Sequence, residues 1–139
     1  MSLQQNKKQK FHPLPAPGDI VWCLFPEILG TPGPKKRPAL VARVSESTHE
    51  VSVVYGTSQK TEKIYPTEIL LAPSDKGFSA SGLSYPTKFD VAVMVQLPFD
   101  SEWFGAAPGE KINSPVPKMG TLHISYMPAI TKALQNKNK

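Results

Sequence analysis

The 139-residue sequence predicts a mainly β domain, a small and strongly bent antiparallel sheet or barrel with one helix at its C-terminal end. Short apolar runs rich in β-branched and aromatic residues recur between turn-forming stretches, which is the pattern of strands. Fifteen prolines point the same way, because proline interrupts helix interiors and central ladders but suits ordered loops and strand starts. A helical stride is confined to the segment after Thr121. The length suits one domain with a real core. There is no internal repeat and no alternation of strands with helices, so a doubly wound nucleotide-binding fold is excluded.

Each element follows in order. Residues 1–16 read as a polar, proline-rich leader, disordered to residue 10 and extended through Pro13 and Pro15. Gly18-Asp19 turns the chain into a first strand, Ile20 to Phe25, too short for a helix and rich in β-formers. The loop Gly30-Thr31-Pro32-Gly33-Pro34-Lys35-Lys36-Arg37 follows, then a second strand from Pro38 to Val44. Ser45 to Glu50 is a turn, and Val51 to Tyr55 returns as the third strand of a meander, ended by Gly56. A short strand spans Glu68 to Leu71, and Ala72 to Lys88, rich in serine, glycine and proline, reads as a long surface excursion. Phe89 to Leu97 is the last strong strand, and the chain leaves it with Phe99, Trp103 and Phe104. Residues 105–120 are loop-like, and Leu122, Tyr126, Ile130 and Leu134 have the spacing of a helix that Pro128 either begins or kinks.

The net charge of +5 suggests a nucleic-acid binder until it is located. Lys7, Lys8, Lys10, Lys132, Lys137 and Lys139 carry the excess, which leaves residues 11–130 with a small negative charge. The basicity of the body is concentrated in Lys35, Lys36, Arg37 and Arg43. Cys23, the only cysteine, lies in an apolar run and reads as a buried, unreactive thiol suited to a reducing compartment. No signal-peptide core and no apolar run of membrane-spanning length is found, so a cytoplasmic protein without membrane association is expected.

Several site chemistries are excluded. A phosphate-binding P-loop needs backbone N–H donors leading into a helix, but Pro32 and Pro34 remove donors and a strand follows. His12, His49, His123 and Cys23 lack metal-ligand spacing, so neither a metal nor another cofactor is implied. A serine-nucleophile elbow, paired carboxylates and a dinucleotide fingerprint are missing. Arginine, hydroxyls and backbone remain.

These residues carry a family likeness. Gly18-Asp19-Ile20-Val21-Trp22, then Gly30 leading to Arg37-Pro38-Ala39-Leu40-Val41, then Val53-Val54-Tyr55-Gly56-Thr57-Ser58, resembles the MazF/PemK toxins, sequence-selective ribonucleases of bacterial toxin–antitoxin pairs. The strand from Phe89 to Phe104, with Gln96, is similar to a later strand of that family. The resemblance implies an SH3-like barrel of twisted antiparallel strands over residues 17–134, with 135–139 a polar tail. It also implies a homodimer, a cognate antitoxin as partner, and metal-independent cleavage of single-stranded RNA that leaves a 2′,3′-cyclic phosphate.

Carried over residue by residue, the family's active-site positions fall on Arg37, Thr57 and Ser58, with Asp100 as a further catalytic candidate. Lys35, Lys36, Gln59, Gln96, Trp103 and Phe104 are the candidate RNA contacts, the last two as stacking surfaces, whereas Trp22 reads as core. Asp100 stands one residue out of the family register, and its place after Pro98-Phe99 reads first as a turn-forming aspartate. Lys36 is either a second cation of the site or a solvated loop lysine. Pro32 stands where the family often has a glutamate, which motivates a second reading: a barrel without catalysis that binds RNA or protein.

Overall fold

The computed structural model describes residues 8–108 and 116–139. Six strands form one antiparallel sheet: β1 (Asp19–Cys23), β2 (Arg37–Ser45), β3 (Glu50–Thr57), β4 (Glu68–Leu71), β5 (Thr87–Pro98) and β6 (Lys118–Thr121), in the order β4-β5-β3-β2-β1-β6. The sheet curls into a half-barrel, and one α-helix, α1 (Met127–Lys137), packs against β5 and β4. The mainly β architecture and the terminal helix agree with the sequence reading.

The strands read as continuous apolar runs because both faces of the sheet are covered. Val21, Cys23, Ala39, Val41, Val51 and Val53 face one core cluster, closed by Phe25, Phe99, Trp103 and Phe104. Ile20, Leu40, Val54, Ile69, Leu71 and Phe89 face a second, covered by Leu83, Tyr126 and Ala133. Period two along each strand sends neighbouring residues into opposite clusters. Burial pushes the Cys23 thiol well above its usual range, which keeps it in the inert protonated form.

Curvature comes from register breaks. In β5, Met94 pairs with Val54 and Asp90 with the next residue, Tyr55, so the chain between them bulges out. Asp90 holds the bulge: its Oδ1 accepts the Ala92 N–H at 2.9 Å and the Thr67 hydroxyl at 2.8 Å. Further shifts occur between Val41 and Arg43 in β2 and between Ile20 and Val21 in β1.

Four expectations are revised. β3 runs through Gly56 to Thr57 instead of ending at Gly56, because β5 supplies partners to Thr57. The expected excursion Ala72–Lys88 is partly interior: it holds a 3₁₀ turn at Phe78–Ser81, and Ser81 and Leu83 are buried. Part of the stretch read as loop forms β6, an edge strand held by β1; residues 109–115 of that stretch lie outside the described residues. Helix α1 starts with Pro128 in its first turn, so Pro128 begins the helix; Leu122, Tyr126 and Ile130 pack on the second cluster as the stride predicts, but Ala133 takes the buried place expected of Leu134, which is exposed.

Residues 1–7 of the expected leader also lie outside the described residues. Packing on the body begins before residue 17: Phe11 and Leu14 rest against the first cluster, and the Phe11 carbonyl accepts a 2.9 Å hydrogen bond from the His49 ring.

Gly56 matters most for the site. A Cβ there would overlap the Pro38 carbonyl oxygen and lie 2.6 Å from the Phe89 ring. Gly56→Ala is therefore expected to cost about 1–3 kcal/mol by overpacking, measurable as a lower urea midpoint with unchanged m-value.

Candidate functional site

Arg37 opens β2, where it pairs with Cys23 of β1. Ala39, two residues after Arg37, pairs with Tyr55, two residues before Thr57, so Arg37 and Thr57 lie at the same end of the β2–β3 pair. The Arg37 side chain is only 16% exposed, and its guanidinium carbon lies 5.8 Å from the centroid of the Tyr55 ring. That ring is in turn held by Phe25 at 5.2 Å in an edge-on contact. At that distance the ring quadrupole attracts the cation and helps to hold it in place.

Glu27, from the loop between β1 and β2, sits 3.6 Å from Arg37 Nη2. That separation is an ion pair rather than a hydrogen bond, so the guanidinium keeps donors for another anion. The loop is shaped by Gly33, whose N–H donates to the Leu24 carbonyl at 3.0 Å and whose Cα approaches the Phe25 carbonyl too closely for any side chain. The same fold-back carries Glu27 over the start of β2.

Thr57 is buried, and its Oγ1 accepts the Gln59 N–H at 3.1 Å. This closes a tight turn after β3 and leaves the hydroxyl hydrogen to donate. Ser58 and Gln59 follow on the exposed surface. Lys35 and Lys36 are exposed beside Arg37, and the Lys36 stem lies against Gly105, where an added Cβ would come 2.9 Å from its Cδ. The structure thus gathers Arg37, Thr57, Ser58, Gln59, Lys35 and Lys36 at one end of the sheet.

The remaining candidates are elsewhere or otherwise engaged. Gln96 pairs with Ser52 and donates to Glu50 Oε1 at 2.7 Å, which puts it roughly 16 Å along β3 from Thr57 at the strand rise of a sheet. Asp100 is buried and its Oδ1 accepts the Glu102 N–H at 3.0 Å, so it takes the turn role. The expected stacking by Trp103 and Phe104 is corrected: they are 7% and 2% exposed. Backbone pairing causes this, since the Leu24 N–H donates to the Trp103 carbonyl and Phe104 bridges Cys23, turning both rings into the first cluster. Trp22, expected in the core, is half-buried.

Three contributors escaped the sequence reading. Tyr55 lay inside the recognised motif but looked like an ordinary strand residue. Glu27 precedes the glycine that anchors the motif. Lys88 pairs with Thr57 across β3 and β5, yet it is distant in sequence; its ammonium is buried against Glu68 at 3.1 Å and the Lys63 carbonyl at 3.0 Å. Among the described residues no group of three or more His, Cys, Asp and Glu converges as metal ligands, and no helix is long and apolar enough to cross a membrane.

The half-barrel thus carries at one end an arginine near an aromatic ring, a buried threonine hydroxyl and exposed lysines, a set of donors and cations whose chemistry suits an anion. Residues 16–102 match the family described as PemK-like, MazF-like toxin of type II toxin–antitoxin systems. The chain belongs to that family. Among solved structures it is similar to an endoribonuclease in complex with its cognate antitoxin from a mycobacterial species, at 19% identity and TM-score 0.55 over 89% of this chain and 94% of that one. It is also similar to a mycobacterial endoribonuclease at 18% identity and TM-score 0.54, over 93% and 95% of the two chains. No curated protein matches the chain.

Proposed function

We propose that this protein is an endoribonuclease toxin that cuts single-stranded RNA at Arg37, acts in the cytoplasm as a homodimer and is neutralised by a cognate antitoxin. The observation that carries the reading is the Arg37 guanidinium, braced by Tyr55 and Glu27 at the end of the sheet that also bears Thr57. In the reaction a ribose 2′-oxygen attacks its own phosphorus, the bond to the 5′-oxygen breaks, and the 2′ proton is lost as the leaving 5′-oxygen gains one. A 2′,3′-cyclic phosphate and a 5′-hydroxyl result. Negative charge grows on the non-bridging oxygens, and a fixed guanidinium fork and hydroxyl stabilise it as it develops.

Glu27 acts through Arg37 as a positioning residue. With its side chain 56% exposed, the ion pair is worth at most about 1 kcal/mol. Glu27→Gln is therefore expected to lower kcat by no more than about fivefold, with unchanged Tm and KM, in a single-turnover cleavage assay.

The function itself is tested by incubating the protein with mixed single-stranded RNA in EDTA and mapping the ends. Cyclic-phosphate termini at a recurrent short sequence support the enzyme. The second reading, a binding-only barrel, is favoured by the absence of any carboxylate from Thr31 to Lys36, and RNA bound but left intact would establish it.

A further inference from the structure

With Trp103 and Phe104 in the core, an unpaired base would need another aromatic surface, and the described residues offer two well-exposed tyrosine rings. Tyr65 is 51% exposed and Tyr85 70% exposed. Only Tyr65 is set among cations. Lys63 Nζ lies 5.4 Å and Lys88 Nζ 5.5 Å from its ring centroid.

Tyr65 borders a cleft of about 460 Å³ between the segment leading into β4 and helix α1, lined also by Ile64, Lys132 and Asn136. That size falls within the roughly 300–1,000 Å³ of small-ligand pockets. The cleft is built rather than incidental. Glu68 Oε1 accepts the Tyr65 N–H at 2.9 Å and the Lys88 ammonium at 3.1 Å, and Asn136 Nδ2 donates to the Pro66 carbonyl at 2.9 Å.

Position links the cleft to the active site. Lys88 stands directly across from Thr57 in the β3–β5 ladder, and residues opposite each other share a face. Lys88 is thus the shared neighbour, its backbone paired with Thr57 and its ammonium 5.5 Å from the centroid of the Tyr65 ring. Arg37 on Tyr55, then Thr57, then Lys88 against Tyr65, then Lys132, form a line of cations and aromatic faces across three strands and the helix.

We propose that Tyr65 is a stacking platform for an unpaired nucleobase of the RNA, next to the nucleotide whose phosphate is held by Arg37. Lys63 and Lys132 meet the flanking phosphates, and Lys88, neutralised by Glu68, fixes the ring. Stacking on an aromatic face is sequence-tolerant and suits single strands. The proposal deepens the endoribonuclease reading and rests on it for the identity of the polymer.

The test is equilibrium binding of a short, uncleavable 2′-O-methyl RNA of mixed sequence to the full chain, beside cleavage of the matching RNA. Tyr65→Ala is expected to weaken binding by about 5- to 150-fold, the range for removing one stacked base. Tyr65→Phe should restore it, and an abasic substitution at one oligonucleotide position should abolish the difference between wild type and Tyr65→Ala. Unchanged binding by Tyr65→Ala, in a protein that still cuts RNA, overturns the platform and leaves the enzyme reading intact. Binding that depends on Tyr65 without cleavage keeps the platform and removes the enzyme. Wild-type protein that neither binds nor cuts removes both.

Discussion

Arg37→Ala is expected to slow RNA cleavage by about a hundred- to a thousand-fold, the loss of about 2.7–4 kcal/mol of transition-state stabilisation when one donor to developing charge is removed. The fold should barely register the change. What it loses is one contact on the Tyr55 ring and one loop ion pair with Glu27, each worth about 1 kcal/mol or less. Arg37→Lys separates charge from geometry, because lysine keeps the cation but lacks the planar fork. A rate between those of wild type and Arg37→Ala is expected for it under single-turnover conditions. Cleavage that survives Arg37→Ala at the wild-type rate would move the reaction away from this end of the sheet.

Glu68→Ala is expected to destabilise the protein by about 3–5 kcal/mol, because it leaves the Lys88 ammonium buried without its carboxylate. The side chains of Lys88 and Glu68 are only 8% and 11% exposed, so the ammonium is left poorly solvated when its partner is removed. Only the Lys63 carbonyl remains to accept from the ammonium at 3.0 Å. Thermal unfolding should show a Tm lower by about 10–20 °C for a domain of this size. Combining Lys88→Met with Glu68→Leu removes both charges and should recover most of that loss. If the single and double variants prove equally unstable, packing rather than the unpaired charge sets the cost.

Much of this was legible in the sequence where local pattern and tertiary demand coincide. β1, β2, β3, β4 and β5 announce themselves because each is a short apolar run bounded by turn residues. β6 does not: Lys118-Met119-Gly120-Thr121 has no apolar alternation, and its strand state is imposed by the free edge of β1. Arg37 and Thr57 could be placed at one end of the sheet from the motif, since the antiparallel pairing of β2 with β3 puts the start of one strand at the end of the other. Glu27 and Lys88 could not, because their approach depends on how a loop folds back over Gly33 and how the β5 bulge resets the ladder. Trp103 and Phe104 misled for a related reason. Aromatic residues after a strand look alike whether they face water or a core, and only the pairing of that segment with β1 decides which.

The contact between Gly56 and Pro38 carries a consequence for how this site can change. Pro38 follows Arg37 and Gly56 precedes Thr57, and the missing side chain lets one strand's carbonyl rest directly over the other's Cα. That contact sets the backbone spacing between the two strands that carry Arg37 and Thr57. Side chains around the site, including those of the loop that bears Pro32, are free to vary while that spacing stands. Changes at Gly56 act on geometry first, so activity should fall at substitutions mild enough for the domain to remain folded.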